Sequence, residues 1–372
     1  MPALLALLAV ACSRKENPEQ GSAVGIPISF GVEVPTKAGF VGEVDPLTIR
    51  ATGFGVYGYV TSGTNWASGG ASAKPHFMTN QRISYEGVQG WAYRPLKYWP
   101  NVANVGGAVQ DYVSFFAYAP YVSLDDVPSA TGITSLPGES TTGTPKIGYQ
   151  VPENPAYGVD LMVGVAASAH VEPAVTAGAP FLNMTRMTVG EKMDYRFVHT
   201  LTRLKITVNA VCDEPVDWNN TRVVLESVSL GVAGQALYTQ GTLNLETAQW
   251  ESTGGRVGDL SALIPTDLRY VSGNTGSVAY FTQQPLGING TSRSLFGFGV
   301  DGTSDAELLY IPGPSSGDPL SLTVRYHVIE RNAGQALGYR SMSITKTVEP
   351  DAHFTAGATT TLALHLQIPV SD

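Results

Sequence analysis

Residues 26–34 read Ile-Pro-Ile-Ser-Phe-Gly-Val-Glu-Val, and the apolar side chains Ile26, Ile28, Phe30, Val32 and Val34 fall on every second position. Successive side chains of an extended chain point to opposite faces, so this period of two predicts a β-strand with one buried face. Five such side chains at roughly 1.5–3 kcal/mol each represent about 8–15 kcal/mol as an upper bound, comparable with the whole stability of a domain. Behind the strand, Pro35-Thr36-Lys37-Ala38-Gly39 and a Gly- and Pro-punctuated run to Ile49-Arg50-Ala51 read as a long exposed loop. Its basic residues Lys37 and Arg50 suit a trypsin-like protease. A strand followed by such a loop can be cut loose, and something must then cover the apolar surface it leaves. The same residues also fit an ordinary first strand of a sandwich, tied on by an ordinary loop.

The far end of the chain mirrors this pattern. Leu362, Leu364, Leu366, Ile368 and Val370 alternate with Ala363, His365, Gln367 and Pro369, again five apolar positions on one face. Between the two ends lie 41 Gly, 24 Pro and 17 Tyr in 372 residues, with charged residues at 14%. Such a chain is rich in turns and poor in the Ala, Glu, Lys and Leu mixture of helical proteins, so the class is all-β. Aromatic and β-branched runs predict strands at Phe54–Val60, Trp91–Arg94, Val113–Tyr118, Asp160–Val165, Phe197–Val208, Arg222–Leu230, Leu320–Ile329 and Gly338–Val348, among others. Tyr121 to Val159, heavy in Pro, Gly, Ser and Thr, reads as a long loop excursion. Division into residues 25–184 and 185–372 gives two halves, each of a size for a β-sandwich.

The N-terminus sets the compartment. Ala3 to Ala11 is apolar but too short to span a bilayer, and it ends in Ala9-Val10-Ala11 directly before Cys12. This resembles a bacterial lipoprotein lipobox, although Met1-Pro2 lacks the usual basic residues. The resemblance implies that residues 1–11 are a signal peptide, that cleavage precedes Cys12 and that Cys12 carries lipid. Residues 12–24, polar and without a periodic apolar face, read as a tether. The other cysteine is Cys212, which leaves no intramolecular disulfide once Cys12 is lipidated. A net charge of −9 without a basic cluster argues against a nucleic-acid partner.

Motifs for chemistry are weak. Gly53-Phe54-Gly55-Val56-Tyr57-Gly58 has dinucleotide-binding spacing, but aromatic alternation runs through its glycines and no helix pattern follows. Gly313-Pro314-Ser315-Ser316-Gly317 spells a nucleophile elbow among prolines and reads as a loop. The histidines His76, His170, His199, His327, His353 and His365 show no zinc spacing, and His199 reads as a structural histidine inside a strand. Asp301-Gly302-Thr303-Ser304-Asp305-Ala306-Glu307 offers oxygen ligands for calcium but lacks EF-hand spacing and reads as a solvated acidic turn. The expectation is a protein that is not an enzyme, with no cofactor, metal or catalytic residue.

Several segments together resemble the fimbrillin family of Bacteroidales pilus subunits. They are Cys12 with its leader, Ile26–Val34 followed by Lys37 and Arg50, Ala51–Tyr57, Lys97-Tyr98-Trp99-Pro100 with Val113–Tyr121, Val159–Met162 and Phe197–Leu204. The resemblance implies two consecutive transthyretin-like β-sandwich domains, export as a lipoprotein to the outer membrane and cell surface, and cleavage by an envelope protease after a basic residue. Loss of the first strand then opens a groove that a neighbouring subunit fills by strand addition. Since Thr361–Val370 is needed to complete the second half, either that strand detaches to donate or the subunit only receives, as a filament tip would. An adhesive role would add a host or bacterial surface receptor. The alternative is a surface glycan-binding lipoprotein, with exposed Trp66, Trp91, Trp99, Trp218 and Trp250 as stacking platforms.

Replacing Cys12 by Ala is expected to move the protein out of the membrane fraction. Mass spectrometry of envelope material that finds Cys12 unmodified would contradict the lipid anchor.

Overall fold

The computed structural model describes residues 25–33, 46–100, 111–154, 158–170, 174–185, 191–232, 237–255, 258–273, 280–281, 286, 292–298, 304–305, 307–313, 320–331, 337–348 and 354–368. Cys12, Val34, Lys37, Asp301 to Thr303 and Val370 lie outside these. The first half contains β1 (Phe30–Val32), α1 (Pro46–Thr52), β2 (Phe54–Ser62), α2 (Trp66–Gly69), β3 (Met78–Tyr85), β4 (Trp91–Ala92), β5 (Asp111–Ala119), β6 (Ile133–Ser135), β7 (Lys146–Gln150), β8 (Met162–Ala166), β9 (Phe181–Met184) and β10 (Met193–His199). The second contains β11 (Thr202–Cys212), β12 (Thr221–Val232), β13 (Leu237–Tyr238), β14 (Gln240–Asn244), β15 (Gln249–Gly254), β16 (Arg293–Ser294), β17 (Gly297–Phe298), β18 (Ser304–Asp305), β19 (Leu308–Pro312), β20 (Leu320–Arg331), β21 (Leu337–Val348) and β22 (Thr359–Ile368). The fold is all-β.

An eight-stranded sheet runs β1-β10-β8-β5-β2-β3-β4, with β9 also on β5. Its centre is apolar on both faces. Along β2, Phe54 and Val56 enter one cluster and Tyr57 and Tyr59 the other, and along β5, Val113, Phe115 and Ala117 oppose Phe116 and Tyr118 in the same way. Strands covered on both sides lose polar alternation, which is why the Phe54–Val60 run carries no charge. The glycines there are packing devices. A Cβ on Gly55 would stand 2.3 Å from a ring carbon of Tyr118. The first cluster gathers Ile26, Ile28 and Phe30, while the second extends into the other half as far as Leu366 and Ile368.

The second half has a sheet β13-β19-β11-β16 with β22 on β11, and a three-stranded sheet β12-β20-β21. β22 pairs parallel with β11 over ten residues, from Arg203↔Thr359 to Cys212↔Ile368, and buries Leu362, Leu364, Leu366 and Ile368. β1 likewise pairs parallel with β10. The first and last strands of each half therefore lie side by side and run the same way.

Two expectations need correction. The interval from Tyr121 to Val159 is not a plain loop, because it holds β6 and β7, and β7 pairs with β14 from Gln150↔Gln240 to Lys146↔Asn244 in a sheet β15-β14-β7-β6. Lys146 Nζ lies 2.6 Å from Glu251, and Tyr149 meets Trp250 edge-on, so this excursion ties the halves together. The expected division at 184/185 falls before β10, yet β10 pairs with β8 and β1 in the first sheet. The chain changes sheet at Thr200-Leu201, where Thr200 donates from both N–H and hydroxyl to Leu161 O and accepts from Trp250 Nε1 at 2.7 Å.

At this change of sheet, His199 Nδ1 stands 2.7 Å and Arg203 NH2 2.5 Å from Asp160 Oδ2, and Arg203 Nε is 3.5 Å from Glu307. His199 therefore joins an ion-pair cluster inside the fold, with its Nε2 buried and without a hydrogen-bond partner among the described residues. Burial pushes the Asp160 carboxyl up, but the hydrogen bond and charge of His199 together with those of Arg203 outweigh it and hold the group below the ordinary carboxylate range. A depressed folded-state value means that this stabilisation is fully present above the unfolded carboxylate range and is lost as pH falls through the folded value. Asp160→Asn is expected to cost about 1–3 kcal/mol near neutral pH. The deficit should shrink on acidification, read as parallel urea titrations at several pH values.

Candidate functional site

Residues 26–33 occupy a slot with two hydrogen-bonding walls. On one side Ile28 N donates to Lys97 O at 2.9 Å and Trp99 N donates to Ile26 O at 3.0 Å, with Pro27 opposite Tyr98 in an antiparallel bridge. On the other, Met193 N donates to Ser29 O and Glu33 N to Tyr195 O, both at 2.9 Å, in parallel register from Phe30↔Met193 to Val32↔Tyr195. Pro27 is tolerated because its neighbours Ile26 and Ile28 make the bonds to the Lys97–Trp99 strap, leaving its missing N–H directed away. The segment crosses from one partner to the other at Ile28-Ser29.

The floor of the slot is aromatic. The Phe30 ring lies 5.6 Å from Tyr93, 5.6 Å edge-on from Phe115 and 6.1 Å stacked from Tyr195. Ile26, Ile28 and Phe30 are buried, Val32 is half-buried, and the sequence-predicted Val34 lies outside the described residues. Three fully buried side chains at roughly 1.5–3 kcal/mol each amount to about 5–9 kcal/mol, again an upper bound. Tyr93 fixes the crossing point, its hydroxyl donating to Ile28 O at 2.9 Å. Burial pushes this phenol up to about 12, against the backbone hydrogen bond with Lys97, so it stays a neutral donor at physiological pH.

The segment behind the slot differs from the expected loop. Arg50 sits in α1, exposed, with its guanidinium 4.6 Å over the Tyr85 ring, while Ile49 beside it is buried. Pro46 at the start and Gly53 just past the end make the helix legible in retrospect. Gly53 has φ +76° and its N–H returns to Ile49 O at 2.7 Å, closing the last turn in a conformation that favours glycine. Lys37, the other basic candidate, lies outside the described residues.

The tryptophan platform finds no support. Trp66 and Trp99 are buried, and Trp91, Trp218 and Trp250 are half-buried in packing roles, Trp91 edge-on against Phe54 at 5.2 Å. Among the described residues, no three His, Cys, Asp or Glu side chains gather as metal ligands. Tyr93 and the Lys97–Trp99 strap are slot residues whose partners the sequence reading did not place. The Tyr98-Trp99-Pro100 signature was visible, but nothing in it specifies pairing with residues some seventy positions earlier.

A model of the family described as fimbrillin-like matches residues 47–370. The chain is 24% identical over 347 residues to the fimbrium subunit Fim1C of Phocaeicola vulgatus, covering 88% of this chain and 81% of that one. In fold it is similar to the crystal structure of a fimbrial protein from Bacteroides vulgatus, with a TM-score of 0.63 and 20% identity, covering 92% of this chain and 95% of the other.

Phe30→Ala is expected to destabilise the protein by about 3–5 kcal/mol, because it removes a buried ring from among Tyr93, Phe115 and Tyr195. Tyr93→Phe should cost about 1 kcal/mol by leaving Ile28 O without its donor. It should also speed hydrogen exchange at the Ile28 and Trp99 amides, and unchanged exchange there would show that Tyr93 does not hold the strand.

Proposed function

The chain belongs to the fimbrillin-like family and is a fimbrial subunit, and on that premise we propose that residues 26–33 are a temporary occupant of an assembly groove. Members of this family are structural components of pili at the outer membrane and cell surface, not enzymes. The observation that carries the reading is the double-walled slot. Removal of the segment leaves the Lys97–Trp99 strap and β10 with unsatisfied backbone groups facing each other across an aromatic floor. An extended segment from a neighbouring subunit meets all of these demands at once, through main-chain hydrogen bonds on two sides and apolar side chains at alternate positions.

Maturation in this reading is a cut by an envelope protease after Arg50, or less favourably after Lys37. Cleavage at Arg50 leaves Ala51 and Thr52 ahead of Gly53 and β2, so the acceptor is trimmed close to its sheet. Proteases bind extended chain, so α1 must unwind first, which a seven-residue helix does readily since isolated helices this short are marginal in water. Lipid on Cys12 holds the precursor at the outer membrane until the cut releases it. The two halves act as consecutive transthyretin-like sandwiches that change over at Thr200-Leu201. β22, zipped to β11 over ten residues, is in this reading a structural strand of its own sheet and stays in place.

Arg50→Ala combined with Lys37→Ala is expected to leave an uncut precursor in the membrane fraction and abolish incorporation into filaments. With purified protein, limited trypsin digestion plus a synthetic alternating apolar peptide should yield a stoichiometric complex on size exclusion. Filament incorporation unaffected by the double substitution would mean that residues 26–33 are simply the first strand of a sandwich.

A further inference from the structure

Away from the slot, a cleft of about 570 Å³ opens at the far end of β2, between residues 60–64 and the α2-to-Phe77 segment. It exists because β3 leaves β2 early. β3 pairs from Phe54↔Ile83 only as far as Gly58↔Met78, whereas β5 follows β2 to Ser62↔Asp111. Among the described residues, one edge of β2 beyond Gly58 is therefore without a strand partner, and every second residue along it turns its N–H and C=O toward the cleft.

Among the described residues, the polar side chains around this edge are chiefly hydroxyls, joined by the Phe77 ring, His76 and the Lys74 ammonium. Thr64 Oγ1 and Lys74 Nζ have no hydrogen-bond or ion partner among the described residues. Ser62 donates its hydroxyl proton to Asp111 at 2.5 Å and Ser72 donates to Gly69 O at 3.2 Å, so each keeps lone pairs to accept from a ligand. His76 Nδ1 is 3.4 Å from the well-exposed Glu139, a surface pair of little strength. Phe77 is half-buried, held edge-on by Phe115 at 6.4 Å, and Lys97 Nζ lies 5.9 Å from the centre of its ring.

We propose that this cleft binds a short saccharide that carries a carboxylate. The volume is that of a small-ligand site. Hydroxyl groups that both donate and accept match the ring hydroxyls of a sugar, which likewise do both. The apolar C–H face of a pyranose fits against Phe77, and Lys74 is the partner for the acid group. The charge pattern points the same way, since the two carboxylates near the rim are already engaged by Ser62 and His76 while the ammonium is not. Phe77 backs onto Phe115 of the slot floor, but no residue of this cleft belongs to residues 26–33 or to α1, and the ligand groups named here take no part in the assembly reading.

The test is calorimetric titration of the intact subunit with sialyllactose and digalacturonate, with lactose and sodium acetate as controls. At least one acidic saccharide is expected to bind with a Kd below 1 mM and at least tenfold more tightly than lactose or acetate. Lys74→Ala should weaken that binding at least tenfold, and Ser72→Trp, which fills the cleft from an exposed position, should abolish it. Both variants should keep the parent thermal midpoint. Absence of binding by both acidic probes overturns the proposal. So does equal binding of acetate, which marks an anion site only, equal binding of lactose, or binding insensitive to both substitutions.

Discussion

A sheet whose central strands are apolar on both faces cannot leave either face in water, and most of this architecture answers that constraint. β2 and β5 present Phe54, Val56, Val113 and Phe115 on one side and Tyr57, Tyr59, Phe116 and Tyr118 on the other. The second side is covered within the large core shared with the C-terminal half. The first is covered partly by residues 26–33, a short segment joined to the rest by chain that leads into α1. One cover thus belongs to the large shared core, and the other is supplied by a short N-terminal segment.

The parallel pairing of first and last strands in each half gives these two covers a common form. In the second half, β22 is bonded to β11 through ten registered residues and packs Leu362 to Ile368 into the large core. In the first half, β1 is bonded to β10 over only three, and the segment then leans on the Lys97–Trp99 strap for the rest of its hydrogen bonds. The same topological position is therefore closed tightly at one end of the molecule and in a divided manner at the other. Two weaker attachments, each of a few bonds, open more easily than one continuous ladder, because local opening requires only the bonds of one wall to break at a time.

Contact between the halves rests on features that do not belong to either of their main sheets alone. The β7–β14 pairing, the Lys146–Glu251 pair and the Tyr149–Trp250 contact join the excursion of the first half to the second. Asp160, His199 and Arg203 brace the point where the chain passes from β10 to β11. A sheet, an ion-pair cluster and two hydrogen bonds from Thr200 thus connect the halves.

The sequence by itself determined the class and the ends. Period-two alternation marked Ile26, Ile28 and Phe30 and Leu362 to Ile368 as strands with one buried face, since a side chain's face in an extended chain depends only on its parity. It also marked the dinucleotide-like glycines as strand residues, through the aromatic run that crosses them. Tertiary structure alone decided what those strands pair with, because hydrogen bonding in a sheet is blind to side-chain identity and joins segments far apart in sequence. That is why the Lys97–Trp99 strap, the β7–β14 ladder and the place of β10 in the first sheet were not legible. Arg50 shows the intermediate case. Its helix was encoded locally, by Pro46 and Gly53, but its exposure and its seat over Tyr85 depend on β3, which the chain brings up thirty residues later.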